Sequence, residues 1–145
     1  MIVIQRASRL RGIPDDRLLR RWLRAVLGDI NRHAELTLRI VNAAEGRRLN
    51  REFRGKDYAT NVLSFVYQAP RAARLEGDIV LCAPVVRREA REQKKPLADH
   101  YAHLVVHGVL HLAGFDHEND REARRMESRE TAILASLGIA DPYPG

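Results

Sequence analysis

The run His107-Gly108-Val109-Leu110-His111-Leu112-Ala113-Gly114-Phe115-Asp116-His117 is the stretch from which the rest of the chain is read. On an α-helix, residues four apart stand about 40° apart around the axis and about 6 Å apart along it. His107 and His111 therefore project from one face. Gly114 is suited to end the helix in a left-handed turn, after which the chain can fold His117 back toward the same point. Three neutral imidazoles with a fourth position open describe a catalytic zinc site, with one Zn2+ per chain. A structural zinc site asks for four protein ligands, usually including Cys, and this chain has one Cys. Two His at this spacing also arise on packed helix faces. Packing explains a third one behind a glycine stop much less well. His103, one turn before His107, is an alternative ligand or, better, an outer partner or substrate-facing residue, since metal-bound His needs oriented partners.

Outward from that stretch, 145 residues with 45% hydrophobic and 30% charged side chains are expected to form a single domain, 1–145, with a real core. No apolar stretch approaches the roughly 20 residues of a membrane span. The start Met1-Ile2-Val3-Ile4-Gln5-Arg6 does not read as a signal peptide. Cys82 sits in the apolar run Ile79-Val80-Leu81-Cys82 and reads as a small core thiol. A soluble, cytoplasmic, reduced protein without membrane partners is the expectation.

The net charge is +6, and the sequence pI is about 10.1. Both favour a polyanionic partner. Of 25 basic residues, 22 are Arg, whose planar fork suits phosphate, although base composition alone can produce such a skew. Two basic clusters stand out, Arg47, Arg48, Arg51, Arg54 and Lys56, then Arg87, Arg88, Arg91, Lys94 and Lys95. Segment 118–130 is nearly balanced, with five acids and four Arg.

Ile2 to Ala7 reads as a strand. Ile13-Pro14-Asp15-Asp16 opens a helix, along which Leu18, Leu19, Trp22, Leu23, Val26, Leu27 and Ile30 recur at helical spacing. Leu36 to Val41 alternates as a strand. A helix from about Ala43 to Phe53, a turn at Gly55–Tyr58 and a strand from Val62 to Tyr67 follow. Gln68 to Glu76, with Pro70 and two Arg, reads as an exposed loop. Gly77-Asp78 opens a strand, Ile79 to Cys82. Helices are then expected from Pro84 to near Lys95, from Leu97 to Ala113, and from an Asn119 or Asp120 cap to about Leu137. The tail 141–145 reads as loose. The fold class is α+β: a small mixed sheet of about four strands against about five helices, with the metal site on a C-terminal helix.

Three of these segments, in order, resemble the YbeY family of bacterial metallo-endoribonucleases. The His107–His117 run resembles its H-G-x-L-H-L-x-G-[YF]-D-H signature. Leu49 to Phe65, Leu-Asn-Arg-Glu-Phe-Arg-Gly-Lys-Asp-Tyr-Ala-Thr-Asn-Val-Leu-Ser-Phe, resembles L-N-x-x-[FY]-R-x-K-D-x-x-T-[ND]-V-L-S-F. Gly77-Asp78-Ile79 resembles G-D-[IV]. The first 45 residues and the C-terminal helix match in length and pattern only. The resemblance implies a zinc-dependent endoribonuclease of single-stranded RNA that matures the 3′ end of 16S rRNA and clears defective ribosomes, with rRNA, the ribosome and assembly factors as partners. It implies His107, His111 and His117 as metal ligands and Arg54 as the activity-bearing arginine. Phe115 stands where many members carry Tyr, which points to aromatic packing there.

RNA cleavage builds negative charge on phosphate oxygens. Arg54 can clamp them but cannot act as base; otherwise it is a surface arginine pairing with Asp57 or Asp78. Arg51, Lys56, Ser64 and His103 are further candidates for binding substrate. H-E-x-x-H peptidases carry a general-base Glu beside the first ligand, and here that position is Gly108. The nucleophile is then an activated water or the substrate's 2′-hydroxyl. Asp116 is either a partner of a ligand His or a turn cap, and Thr60 and Asn61 are explained by turn and strand-edge bonding. The alternatives are a zinc hydrolase of peptides or small molecules, or a non-catalytic ribosome-assembly factor.

Overall fold

The computed structural model describes residues 1–69 and 72–143, and its centre is a helix that water barely reaches. This helix, α4 (Leu97–Leu112), buries ten of its 16 residues, the mark of a helix packed on nearly all sides. After its first turn, the only residues not fully buried are His103, His107 and His111. They form a single i, i+4 row.

The elements around it come in the order β1 (Ile2–Arg6), α1 (Asp16–Asp29), β2 (His33–Val41), α2 (Ala43–Arg54), β3 (Val62–Val66), β4 (Arg74–Cys82), α3 (Ala83–Glu92), α4 and α5 (Asp120–Ser136). Four strands form one mixed sheet in the order β1-β2-β4-β3. β1 with β2 and β2 with β4 are parallel, and the edge strand β3 runs antiparallel to β4. The architecture is the expected α+β one.

Side-chain alternation sends the two faces of the sheet to different layers. Leu36, Leu38, Ile40, Leu75, Ile79 and Leu81 join the main core with α1, α4 and α5. Val41, Leu63, Val80 and Cys82 join a smaller cluster with Val85, edged by Leu49 and Phe65. α1 begins at its Asp15 cap, whose carboxylate accepts from Leu18 N at 2.9 Å, and it buries Leu19, Trp22, Leu23, Val26 and Leu27. Cys82 is the core thiol its neighbours suggested, and burial raises its pKa.

Four expectations need correcting. Arg74–Glu76 is not loop: β4 starts at Arg74, with Arg74 and Glu76 exposed and Leu75 fully buried. Charged residues on the solvent face of a half-buried strand disguise it. Pro70 and Arg71 of the expected loop lie outside the described residues. Gly77 does not open the strand but sits within it, paired with Leu36 and Val66. A Cβ there would stand 2.5 Å from the Phe65 carbonyl oxygen and 2.8 Å from Leu112 Cδ2, so close approach of α4 requires glycine. β2 likewise starts earlier than expected, at His33. Finally, Tyr143 in the tail is half-buried and hydrogen-bonded, as described below.

Candidate metal centre and cavity

The end of α4 positions the histidines. Gly114 has φ +99°, its N–H donates to His111 O at 3.1 Å, and Phe115 N–H donates to Leu110 O at 3.0 Å. These two bonds form a Schellman ending, which turns the chain back on itself. Asp116 Oδ1 accepts the His117 backbone N–H at 2.7 Å. The His107 and His117 rings then lie 6.0 Å apart, centroid to centroid.

His107, His111 and His117 line one cavity of about 710 Å³ together with Arg54, Lys56 and Ser64. Tyr58, Thr60 and Asp116 also line it. Of the other sequence candidates, Arg51 lies outside this lining, exposed and 3.9 Å from Asp57. His103 also lies outside it: its Nε2 stands 2.8 Å from Glu130 Oε2 and 3.0 Å from the Tyr143 hydroxyl. The substrate-facing reading of His103 draws no support from this position; the outer-partner reading does. Asp116 caps the turn and reaches the His117 ring only at 4.0 Å.

The carboxylate that does meet a candidate ligand is Glu130, which sequence reasoning missed. It is fully buried. Its Oε1 lies 2.8 Å from His107 Nδ1, and its Oε2 accepts the Tyr143 hydroxyl at 2.7 Å. Burial alone would raise the Glu130 pKa; hydrogen bonds from His103, His107 and Tyr143 outweigh it and hold the group down at about 2. As an anion it accepts the His107 Nδ1–H, which leaves the other ring nitrogen as the one with a lone pair. A signal was present: Met126, Glu130, Ile133 and Leu134 recur at helical spacing, so the acid lies on the buried face of α5.

The donor chemistry of His107, His111 and His117 suits a metal ion, although their ring nitrogens do not all lie within 4.8 Å of one another. Burial lowers the His111 pKa, with Asp116 raising it and the charges of His107, His117 and Arg54 lowering it further, so the neutral ligand form is favoured. His111 Nδ1 is buried without a hydrogen-bond partner among the described residues; hydrogen bonding within the protein therefore leaves this ring incompletely satisfied. His103, His107 and Glu130 do present ligand atoms within 4.8 Å of one another and could hold a metal. The hydrogen bonds just described account for that closeness.

Arg54 is fixed on the opposite wall. Gly55, at φ +70°, ends α2 in a left-handed turn. The Arg54 guanidinium donates to Ser64 O at 2.6 Å and lies 5.5 Å from the Phe65 ring centroid. Neither acid proposed as its partner is engaged with it: Asp57 accepts two bonds from Arg47, at 2.7 and 2.9 Å, and Asp78 accepts from Tyr67. Ser64 itself is buried and donates to Gly108 O at 3.4 Å. Asn61 is explained structurally, through its bonds to Glu89 and Val62 N.

Fold and cavity together define the class: an α+β protein whose central helix presents His107 and His111 to a cleft that Arg54 also lines. The chain belongs to the YbeY family, since the model described as Endoribonuclease YbeY matches residues 6–138. Endoribonuclease YbeY of Aromatoleum aromaticum is 58% identical over 147 residues, covering 98% of this chain and 91% of that protein. The protein of that name from Bordetella pertussis is 58% identical over 143 residues, covering 91% of each. The solution structure of TM1509 from Thermotoga maritima matches with a TM-score of 0.56 and 25% identity, covering 100% of both chains.

Proposed function

We propose that residues 1–145 form one zinc-dependent endoribonuclease domain that cuts single-stranded RNA, in 16S rRNA 3′-end maturation and ribosome quality control. Its setting is the cytoplasm and its partners are ribosomal RNA, the ribosome and assembly factors; among the described residues, no helix is long and apolar enough to cross a membrane. Membership of an endoribonuclease family supports the reaction class. The observation that carries the site is the buried Glu130 carboxylate on His107 Nδ1. In this reading His107, His111 and His117 hold the ion, Glu130 fixes the His107 ring, and His103 and Tyr143 fix Glu130.

When bound, zinc supplies Lewis acidity at a phosphate oxygen and lowers the pKa of water. Arg54, held by Ser64 O and Phe65, presents its remaining N–H groups to the non-bridging oxygens as charge grows there. Lys56 adds a positive charge to the same cavity. Arg51 is left to phosphates farther along the strand. Gly108 weighs against peptidase chemistry: a Cβ there would lie 3.0 Å from Ile79 Cγ2, so a carboxylate at this position would meet the sheet.

The test is the metal-loaded protein incubated with single-stranded RNA and, side by side, with a peptide library. RNA should be cut and peptides left intact. RNA affinity should fall steeply with salt, as counterion release requires. Cleavage of peptides, or affinity unchanged between low and moderate salt, would sink the reading.

A further inference from the structure

The described chain has three exposed aromatic rings, Phe53, Tyr58 and Tyr67, at 61%, 54% and 63% exposure. They are not scattered. Tyr58 lines the histidine cavity. Phe53 and Tyr67 line a second cavity of about 670 Å³ on the other face of the sheet. The two cavities share Arg54, Ser64 and His111, so they meet around the edge strand β3. In the second cavity Phe53 meets Phe65 edge to face, at 5.3 Å and 71°, so neither ring is covered by stacking on the other. Leaving an aromatic ring in water forgoes the stabilisation that burying it would give. The concentration of all three beside one arginine calls for a ligand with flat apolar faces.

We propose that the second cavity is a base-stacking subsite: a nucleotide next to the scissile phosphate lays its base on Phe53, with Tyr67 closing the far side. This rests on the endoribonuclease reading and deepens it. Continuity with the histidine cavity favours a base over an apolar protein side chain. A strand whose phosphate sits at Arg54 has its neighbouring base within reach of either cavity, and the positive charge of Arg54 suits the backbone. Bases stack on aromatic rings irrespective of sequence, provided they are unpaired. The subsite therefore also accounts for a preference for single strands, because a base within a duplex has both faces covered.

The test uses the full chain and a short single-stranded RNA carrying one 2-aminopurine, moved position by position, with EDTA present so that nothing is cut. Stacking quenches this probe. Quenching is expected at one position beside the bond that the zinc-loaded protein cuts. Phe53→Leu should weaken binding roughly fivefold to hundredfold, and Phe53→Tyr should restore it. With an abasic ribose at that position, wild type and Phe53→Leu should bind alike. If wild type binds and cuts the RNA yet quenches no position, or if Phe53→Leu binds intact RNA as wild type does, the subsite is wrong while the endoribonuclease reading stands; the rings would then belong to a protein contact. If wild type neither binds nor cuts single-stranded RNA, the endoribonuclease reading falls, and the subsite with it.

Discussion

Both halves of α4 carry histidines, and their surroundings differ. Toward the N-terminal end, His100 Nε2 lies 2.9 Å from Glu89 Oε1, and His103 Nε2 lies 2.8 Å from Glu130 Oε2. Each of these rings has an acid brought in from another helix. Among the described residues, Nδ1 is buried and unpaired in His100, His103 and His111 alike, but toward the C-terminal end no acid is hydrogen-bonded to His111, and His117 stands 4.0 Å from Asp116. His107 joins the two regions, with one nitrogen on Glu130 and its ring on the cavity wall. A histidine whose nitrogen is taken up by an acid from another helix and whose ring lies off the cavity, as in His100 and His103, ties helices together. One that faces a cavity without such an acid remains available for chemistry. Spacing along the helix is similar, three residues from His100 to His103 and four from His107 to His111, so the partners on α3 and α5 make the difference.

Five substitutions can break or sharpen that contrast. The largest effect is expected from Glu130→Ala, which strips His103, His107 and Tyr143 of a shared buried acceptor. Urea unfolding in chelator should show a loss of about 3–5 kcal/mol, with zinc affinity down about 10–100-fold. A loss under about 1 kcal/mol would mean that the acid-paired half is not structural. His111→Ala should do the opposite: elemental analysis should find most of the zinc gone, while stability in chelator shifts by no more than about 1 kcal/mol. Cys82→Ser should keep its zinc; full zinc in His111→Ala would refute the ligand assignment.

Arg54→Lys keeps the charge but loses the fork. Zinc content and fold should persist, while the single-turnover cleavage rate falls roughly tenfold to a thousandfold, about 1.4–4 kcal/mol of barrier. A rate close to wild type would reduce Arg54 to part of a diffuse basic patch. The smallest change is at Lys94, which holds φ +53° at the end of α3, just ahead of α4. Lys94→Gly should stabilise the protein by roughly 0.5 kcal/mol, the left-handed cost of a side chain less the freedom glycine adds to the unfolded chain. Zinc content should not change; if it does, the two halves of α4 are coupled more tightly than their hydrogen bonds suggest.

Much of this arrangement was legible in the sequence, for physical reasons. The i, i+4 row of His107 and His111 and the glycine stop at Gly114 are local devices, and local geometry alone predicts them. The α1 stripe and the Asp15 cap are of the same kind. The start of β4 was hidden because pairing with β2, not local apolar content, makes Arg74–Glu76 a strand; the register His33 to Arg74 cannot be read from either segment alone. Glu130 was written into the Met126–Leu134 stripe, but an acid on an apolar face is conspicuous only once the charge balance of 118–130 is set aside. Arg54 was correctly expected near a helix-to-turn junction, yet its anchor, the Ser64 carbonyl, is a backbone atom without a sequence signature.

Tyr143 carries a consequence for how the gene can be altered. Its hydroxyl reaches Glu130, Glu130 reaches His107, and so a residue near the end of the numbering is two hydrogen bonds from the cavity. A premature stop codon that removed Tyr143 would leave every cavity-lining residue intact. It would still disturb the cavity from behind, through a His107 ring less firmly held.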